Sequence, residues 1–515
     1  MFDRTAGAYP SNEFVVQRGR RCSYGEVRSK ADRLAAFLAD GIISRGDRVA
    51  LLLENSPEYV ICYFAILKAG GVVVPLNGNI PERGLAVLLK DFSPKAVIVH
   101  SADVEKVMGI SPGVPSLCHV LSLPAGRGAN PGDSCKIPPS GGNARVIDAG
   151  DLISSAGKGE RPYGGVDPGL DALAMIIYTS GTTAAPKGVM LTHRNLCANA
   201  RSIVQYLRLI ADDRVMVVLP FYYSYGNSLL TTHAMTGGTL VLENTLMYPN
   251  VVLDTMVSER VTGFSGVPST YAILLNKSSL KTRRFPALRY VTQAGGAMSP
   301  RHARELKAIL PTVDVFIMYG QTEASARLSY LEPGELLRKA GSIGKAIPGV
   351  TLTLVGKGNR TVDVGETGEI VARGENIMPG YWGKPEETEK VLRDDRLHTG
   401  DFARSDEEGF LYIVGRRTDM IKSGAHRISA KEIEEILLEI PQVGEAAVVG
   451  VEDEILGEAI KAYIVRKDGE SISAQEVLSY CRKNLPSFKI PRSVDFLAEI
   501  PKTDSGKSKK YAIDS

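Results

Sequence analysis

The sequence predicts an α/β protein with a large N-terminal domain of stacked βα units, a β-rich subdomain after it, and a small α+β domain at the C-terminus. Three observations carry that prediction. Apolar β-type runs alternate with amphipathic helical stretches over most of the first 349 residues, the pattern of parallel sheets. From Val350 to Ile413 the pattern changes to short strands separated by glycine turns. At Gly415 it changes again, and two capped helices interleave with two strand-like runs. At 515 residues the chain is long enough for more than one domain. We place the boundary between residues 414 and 415.

In chain order, residues 24 to 39 set Val27, Ala31, Leu34, Ala35 and Leu38 on one helical face. Arg48 to Leu53 reads as a short strand. Ser56 and Pro57 then open a helix, as N-cap and first helical residue, and Gly70-Gly71 closes it ahead of a strand at Val72 to Pro75. Residues 123 to 169, rich in Gly, Pro, Ser and Asp, read as an irregular connection with one short strand at Arg145 to Ile147. In the C-terminal domain Ser429 and Glu432 form a capping box ahead of Ile433, Ile436, Leu437 and Ile440, and Pro441 stops that helix. Strand-like runs follow at Ala446 to Val451 and Ala459 to Arg466, then a second capping box at Ser473 and Glu476.

Bulk properties exclude several functions. The chain is 44% hydrophobic and 23% charged, an ordinary globular composition, and with a net charge of only +3 nothing in the overall balance argues for nucleic acid or an anionic membrane as partner. Cys22, Cys62, Cys118, Cys135, Cys197 and Cys481 contain no CxxC pair, so neither a zinc site nor a disulfide framework is expected. Met1 to Gln17 has no apolar core of a signal peptide, and no apolar run spans a bilayer, so a cytoplasmic protein without a transmembrane segment is expected.

The stretch Tyr178-Thr179-Ser180-Gly181-Thr182-Thr183-Ala184-Ala185-Pro186-Lys187-Gly188 organises the chain. Apolar runs at Ala172 to Tyr178 and Gly188 to Leu191 lead in and out. Small residues let backbone N–H groups converge as an anion nest, hydroxyls add donors, and Lys187 adds a mobile charge. Such a loop suits a polyphosphate. It is not a Walker A loop, because Pro186 stands where that motif needs its second glycine.

This stretch resembles the phosphate loop of the acyl-adenylate-forming superfamily, which includes acyl-CoA synthetases, aryl-CoA ligases, luciferases and stand-alone adenylation domains. The resemblance extends over nearly the whole chain through motifs in the expected order. It implies that Thr179, Ser180, Gly181, Thr182, Thr183 and Lys187 cradle the phosphates of ATP. Gln293-Ala294-Gly295-Gly296-Ala297 is similar to the segment that lines adenine and the acyl pocket. Tyr319-Gly320-Gln321-Thr322-Glu323 is similar to the adenine and magnesium segment. There Tyr319 would stack near the base, Gly320 and Gln321 would line the nucleotide, Thr322 would bond the α-phosphate, and Glu323 would hold Mg²⁺. Asp401, in His398-Thr399-Gly400-Asp401, has the two acceptor oxygens that grip both hydroxyls of a ribose. Arg416 and Arg427 match positions that meet ribose or phosphate.

Further roles follow only from the resemblance. Lys507, in Pro501-Lys502-Thr503-Asp504-Ser505-Gly506-Lys507, matches the lysine that bridges the carboxylate and the α-phosphate, so Lys507, Thr183 and Glu323 are the expected catalytic residues. Tyr223, Gly226, Gly295 and Gly320 would line the acyl pocket. Many relatives carry His where this chain has Tyr223, and amino-acid-activating members carry an acidic residue there. Tyr223 cannot supply that charge, which favours a fatty or aryl acid. Thr418 stands at the hinge, where Asp or Lys is usual. The C-terminal domain would be mobile and would rotate about it, presenting Gly424, Ala425 and His426 to the thiol. The implied reaction makes acyl-AMP and pyrophosphate from a carboxylic acid and Mg-ATP, then a thioester with coenzyme A. One alternative acceptor is the phosphopantetheine of an acyl carrier protein. A nucleotide-binding regulatory protein without turnover is the alternative of another class. A nicotinamide dehydrogenase is disfavoured, because no GxGxxG follows any predicted strand.

Overall fold

The structure, a computed structural model, describes residues 1–124, 144–154, 163–179, 186–416, 420–423, 426–453, 457–502 and 513. Four sheets organise it. The first has eight strands, in the order Gly380–Tyr381, Lys187–Thr192, Leu173–Thr179, Val72–Pro75, Arg48–Leu52, Ala96–His100, His119–Leu123 and Arg145–Asp148. Its strands from Leu173–Thr179 to Arg145–Asp148 pair in parallel. The second has nine strands, and its middle is the parallel set Asp314–Tyr319, Tyr290–Gln293, Gly263–Gly266, Arg214–Val217, Thr239–Leu242 and Glu13–Gln17. The third is antiparallel, with Val350–Val355, Gly368–Gly374, Arg396–Ser405, Leu392–Arg393 and Leu411–Arg416. The fourth belongs to the small C-terminal part and contains Met420–Ser423, His426–Ser429, Val443–Asp453, Gly457–Arg466 and Ser493–Phe496.

The two large sheets share one hydrophobic core. Helix Tyr24–Ala39 contributes Val27, Ala31, Leu34, Ala35 and Leu38, and all five are fully buried, as their spacing predicts. Helix Pro57–Lys68 is capped by Ser56, which accepts the Tyr59 N–H at 3.1 Å, with Pro57 in its first turn. Parallel strands must be covered on both faces, and continuous apolar runs such as Val72–Val74 and Val97–Val99 are the result.

Local differences from the sequence reading have physical reasons. Ser429 accepts the Glu432 N–H at 3.3 Å, but the reciprocal half of that capping box is missing. The Glu432 carboxylate is engaged by Lys489 at 2.7 Å, and the Ser429 hydroxyl also donates to the Val414 carbonyl. The Ser473–Glu476 box is complete. Strand Arg145–Asp148, expected at Arg145 to Ile147, closes one edge of the first sheet, and helix Gly150–Ser154 orders a further piece of the connection expected to be irregular. The N-terminal helix Phe2–Ala8 and the hairpin Glu13–Gln17/Arg20–Ser23 carry no sequence period that announces them. No described helix is long and apolar enough to cross a membrane.

Tyr24 joins the start of helix Tyr24–Ala39 to the C-terminal end of helix Ser224–Thr236 and the turn after it. Its buried hydroxyl lies 2.7 Å from the carbonyl oxygens of both His233 and Gly238 and donates to one at a time. Burial holds its phenol well above the usual range, so it stays a donor. Tyr24→Phe is therefore expected to lower unfolding stability by about 1–3 kcal/mol. Urea denaturation checks this, and an unchanged midpoint would show the carbonyls find other donors.

Candidate active site

Three parallel strands of the second sheet hand the chain to loops of this site at their C-terminal ends, the usual ligand position in α/β sheets. Strand Tyr290–Gln293 leads into Gly295, Gly296 and Ala297, of which Gly296 and Ala297 are exposed. Gly295 has φ +86°, a left-handed turn suited to glycine. Strand Asp314–Tyr319 leads into Gly320, Gln321 and the short 3₁₀ turn Thr322–Ala324. Strand Arg214–Val217 leads through Tyr222 and Tyr223 into helix Ser224–Thr236. The first turn of that helix meets the 3₁₀ turn: Ser224 Oγ lies 3.3 Å from Thr322 Oγ1.

Asp401 is the most tightly held acidic group here. It is 5% exposed. Its Oδ2 accepts the Tyr319 hydroxyl at 2.7 Å, and its Oδ1 accepts Arg416 Nε at 2.6 Å. Its partners come from different sheets, since Tyr319 ends a strand of the second and Arg416 sits opposite Asp401 in the third. Burial, and then the Asp401 charge, push the Tyr319 phenol well above its usual range, so it remains protonated. A carboxylate has about four lone-pair sites, so acceptor capacity is left for a further ligand. Tyr319 thus orients Asp401.

Glu323 belongs to a second group. The Tyr381 hydroxyl donates to its Oε1 at 2.8 Å, and its carbonyl accepts the Met378 N–H at 2.9 Å. Burial first, then Glu323, raise the Tyr381 phenol. Strand Gly380–Tyr381 pairs with the edge strand Lys187–Thr192, with Tyr381 opposite Val189. That pairing sets Lys187 Nζ 5.1 Å from the Tyr381 ring centre and 2.6 Å from Glu387 Oε2. Hydrogen bonds from Lys187 and Lys390 hold the Glu387 carboxyl down at about 2. Lys384 Nζ donates to the Pro186 carbonyl at 2.6 Å. Sequence reasoning missed Tyr381, Lys384 and Glu387, whose roles exist only because a two-residue strand reaches back almost two hundred positions. The one available signal was the glycine-aromatic pair Gly380-Tyr381 beside the chain's single Trp, Trp382.

The glycines of the expected acyl wall have a further reason to be glycine. A Cβ on Gly320 would lie 2.1 Å from the Ala326 oxygen, and one on Gly226 would lie 2.0 Å from the Pro220 oxygen. Tyr223 is half-buried and its ring centre lies 4.6 Å from that of Tyr222. Two side-chain atoms here are buried with no hydrogen-bond partner among the described residues, Gln293 Oε1 and Gln321 Nε2. Gln321 stands between the Tyr319 and Thr322 positions, so a polar ligand would satisfy it. No cluster of three or more His, Cys, Asp or Glu side chains able to hold a metal occurs among the described residues. A single carboxylate such as Glu323 still fits Mg²⁺, which takes one or two protein carboxylates and completes its shell with phosphate oxygens and water.

Several expected residues lie outside the described part: Ser180, Gly181, Thr182, Thr183, Thr418, Gly424, Ala425 and Lys507. Thr179 is described and pairs in register with Lys187 across the hairpin that carries the loop. His426 and Arg427 lie on strand His426–Ser429, opposite Ser423 and Lys422, with side chains outside the described part.

Comparison with known proteins matches residues 2–382 to the family described as AMP-binding enzyme, and residues 432–507 to the AMP-binding enzyme C-terminal domain. A feruloyl-CoA synthase of Amycolatopsis sp is 34% identical over 99% of this chain and 97% of its own. A long-chain-fatty-acid–CoA ligase of Escherichia coli O157:H7 is 32% identical over 98% of this chain and 92% of its own. Among solved structures, the o-succinylbenzoate coenzyme A synthetase of Bacillus subtilis in complex with ATP and magnesium ion superposes with a TM-score of 0.84 at 27% identity. That match covers 100% of this chain and 99% of the other.

An amide in place of the Asp401 carboxylate would aim its NH₂ at one of two converging donors. Asp401→Asn is expected to cost about 1–3 kcal/mol of unfolding free energy. Denaturant titration measures it, and unchanged stability would mean that Tyr319 and Arg416 do not both hold this side chain.

Proposed function

The chain belongs to the AMP-binding enzymes, and from that premise we infer that it is an AMP-forming acid–coenzyme A ligase acting on a fatty or aryl acid. A carboxylate oxygen of the acid attacks the α-phosphorus of ATP, and the bond to pyrophosphate breaks. The thiol of coenzyme A then adds to the acyl carbon of the acyl-AMP, and AMP leaves. The observation that carries this reading is the convergence of Tyr319, Asp401 and Arg416 from two sheets on one buried carboxylate.

The roles of Asp401, Arg416, Lys187, Glu323 and Tyr381 are argued from that geometry, and those of Thr322, the loop after Thr179 and Lys507 from the family resemblance. Asp401, already oriented through both oxygens, takes the ribose hydroxyls with its remaining acceptor capacity. Arg416 stands ready to turn from Asp401 to the nucleotide. Thr322 and the loop Thr179 to Thr183 donate to phosphate oxygens. Lys187 exchanges Glu387 for a phosphate, keeping one anionic partner throughout. Mg²⁺, when bound at Glu323, offsets charge on the phosphates, and Tyr381 keeps the Glu323 carboxylate pointed. Lys507 brings positive charge to the phosphorus under attack, a stabilisation worth about 3–4 kcal/mol.

The reading includes a division at residues 414/415, with a mobile C-terminal domain that turns about Thr418 and brings Gly424, Ala425 and His426 to the thiol. A tyrosine at 223 supports an acid without an α-amine. A cytoplasmic site is supported by the free, buried thiols Cys22, Cys62 and Cys481.

Two measurements test this. Purified protein with ATP and Mg²⁺ should release pyrophosphate with fatty or aryl acids and form a thioester with coenzyme A; a thioester only with a holo-carrier protein would move the acceptor assignment. Lys507→Ala should reduce acid-dependent pyrophosphate release by about 10²–10³-fold and leave thioester formation from supplied acyl-AMP near normal. Equal loss of both half-reactions would remove the assigned role.

A further inference from the structure

The lysine of the threonine- and glycine-rich stretch already has an anion beside it. Lys187 Nζ lies 2.6 Å from Glu387 Oε2, and both side chains are partly exposed. The other oxygen of the same carboxylate, Oε1, is taken by Lys390, three residues along the same helix. One carboxylate thus stands between two ammonium groups, one in the site and one outside it.

Glu387 cannot drift from this place. Its helix, Pro385–Val391, is fastened to the strand that begins at Lys187. The Trp382 N–H donates to the Gly188 carbonyl at 2.8 Å, and Lys384 Nζ donates to the Pro186 carbonyl at 2.6 Å. The Thr388 hydroxyl accepts the Tyr381 N–H at 2.9 Å and donates to the Lys384 carbonyl at 2.9 Å. These bonds hold the helix to both chain neighbours of Lys187. The carboxylate is therefore a tethered anion, at high effective concentration beside Lys187.

An ammonium has three donors, so Lys187 has the capacity to touch Glu387 and a phosphate together. Two anions held on one ammonium repel each other, however. A phosphate arriving at Lys187 is opposed by Glu387 until that carboxylate turns away. Lys390 gives it somewhere to turn. The departing carboxylate keeps a cation on its other oxygen, and Lys390, with a side chain 62% exposed, is free to follow it.

We propose that Glu387 sets the affinity of this protein for ATP, as a tethered competitor for Lys187 that Lys390 draws off when a phosphate binds. The proposal rests on the ligase reading above and on Lys187 meeting a phosphate within it. It assigns opposite effects to the two members of one ion pair. Removing the charge of Glu387 frees Lys187 and tightens ATP. Removing the charge of Lys390 leaves Glu387 on Lys187 alone and weakens ATP. A carboxylate that only positioned Lys187 would give the reverse sign at Glu387.

The test is the dissociation constant of Mg-ATP from the full-length protein without acid, by equilibrium dialysis, beside KM for ATP in acid-dependent pyrophosphate release. Partly exposed ion pairs change such constants by about twofold to fivefold. Glu387→Gln should lower both constants by about that factor, and Lys390→Met should raise both by about that factor, with the shift in KM rather than kcat. Added to Glu387→Gln, Lys390→Met should have no further effect, because its target is gone. Additive shifts would mean a general effect of charge and would overturn the proposal. Glu389→Gln removes the same charge two residues on, at an exposed position, and should leave both constants unchanged. A shift there equal to that of Glu387→Gln would overturn the proposal. An unchanged or higher constant for Glu387→Gln would overturn it too, while ATP binding and pyrophosphate release by the unaltered protein leave the ligase reading intact. The sign at Glu387 and the sign at Lys390 are read separately, so either variant decides the matter if the other does not fold. Neither ATP binding nor pyrophosphate release by the unaltered protein would overturn the ligase reading and this proposal with it.

Discussion

A buried carboxylate must find donors, and the Asp401 side chain finds them in two sheets at once. Tyr319 comes from the end of a strand in the large second sheet, and Arg416 from the last strand before the chain enters the C-terminal part. An unpaired carboxylate at this depth would be strongly unfavourable, so the three groups are fixed together. The same bonds that orient the Asp401 carboxylate therefore tie the second sheet to the β-rich third.

The other half of the site depends on backbone pairing at a sheet edge. An edge strand offers unpaired N–H and C=O groups. Here Gly380–Tyr381 covers the edge of Lys187–Thr192 and brings Tyr381 to Glu323. The approach is braced from below. Asn195 Nδ2 donates to the carbonyls of Glu375 and Ile377, and Asn376 Nδ2 donates to those of Ala324 and Arg327. These bonds lock the 3₁₀ turn bearing Glu323 to the segment that supplies its tyrosine, so the carboxylate is held in place by the fold.

Charge pairing separates structural groups from groups held for a ligand. Asp213, buried, is met by Arg289 and Thr262 at 2.7 Å and needs nothing more. Lys187 has Glu387 as an exchangeable partner at a partly open position. The two cases run from a group satisfied deep inside the protein to one whose partner is partly open to solvent.

What the sequence determined alone was everything with a local cause. Helix faces such as Val27 to Leu38 follow from period, the caps at Ser56 and Ser473 from side-chain chemistry, and the strand-to-loop segments at Gly295 and Tyr319 from apolar runs ending in glycine. The motifs that contain Asp401, Glu323 and Lys187 stood out for the same reason, because each lies in a short, unusual run. Tertiary structure alone decided the partners. Glu432 looked like half of a capping box and instead answers Lys489, 57 positions away. Tyr381 lies on a strand of two residues, too short to show any period, and acquires a role only when the edge of another sheet comes to it. Hydrogen bonds and ion pairs act over a few ångströms of space, whereas residue order records only neighbours along the chain. Contacts between distant segments were therefore settled by the packing of sheets against one another.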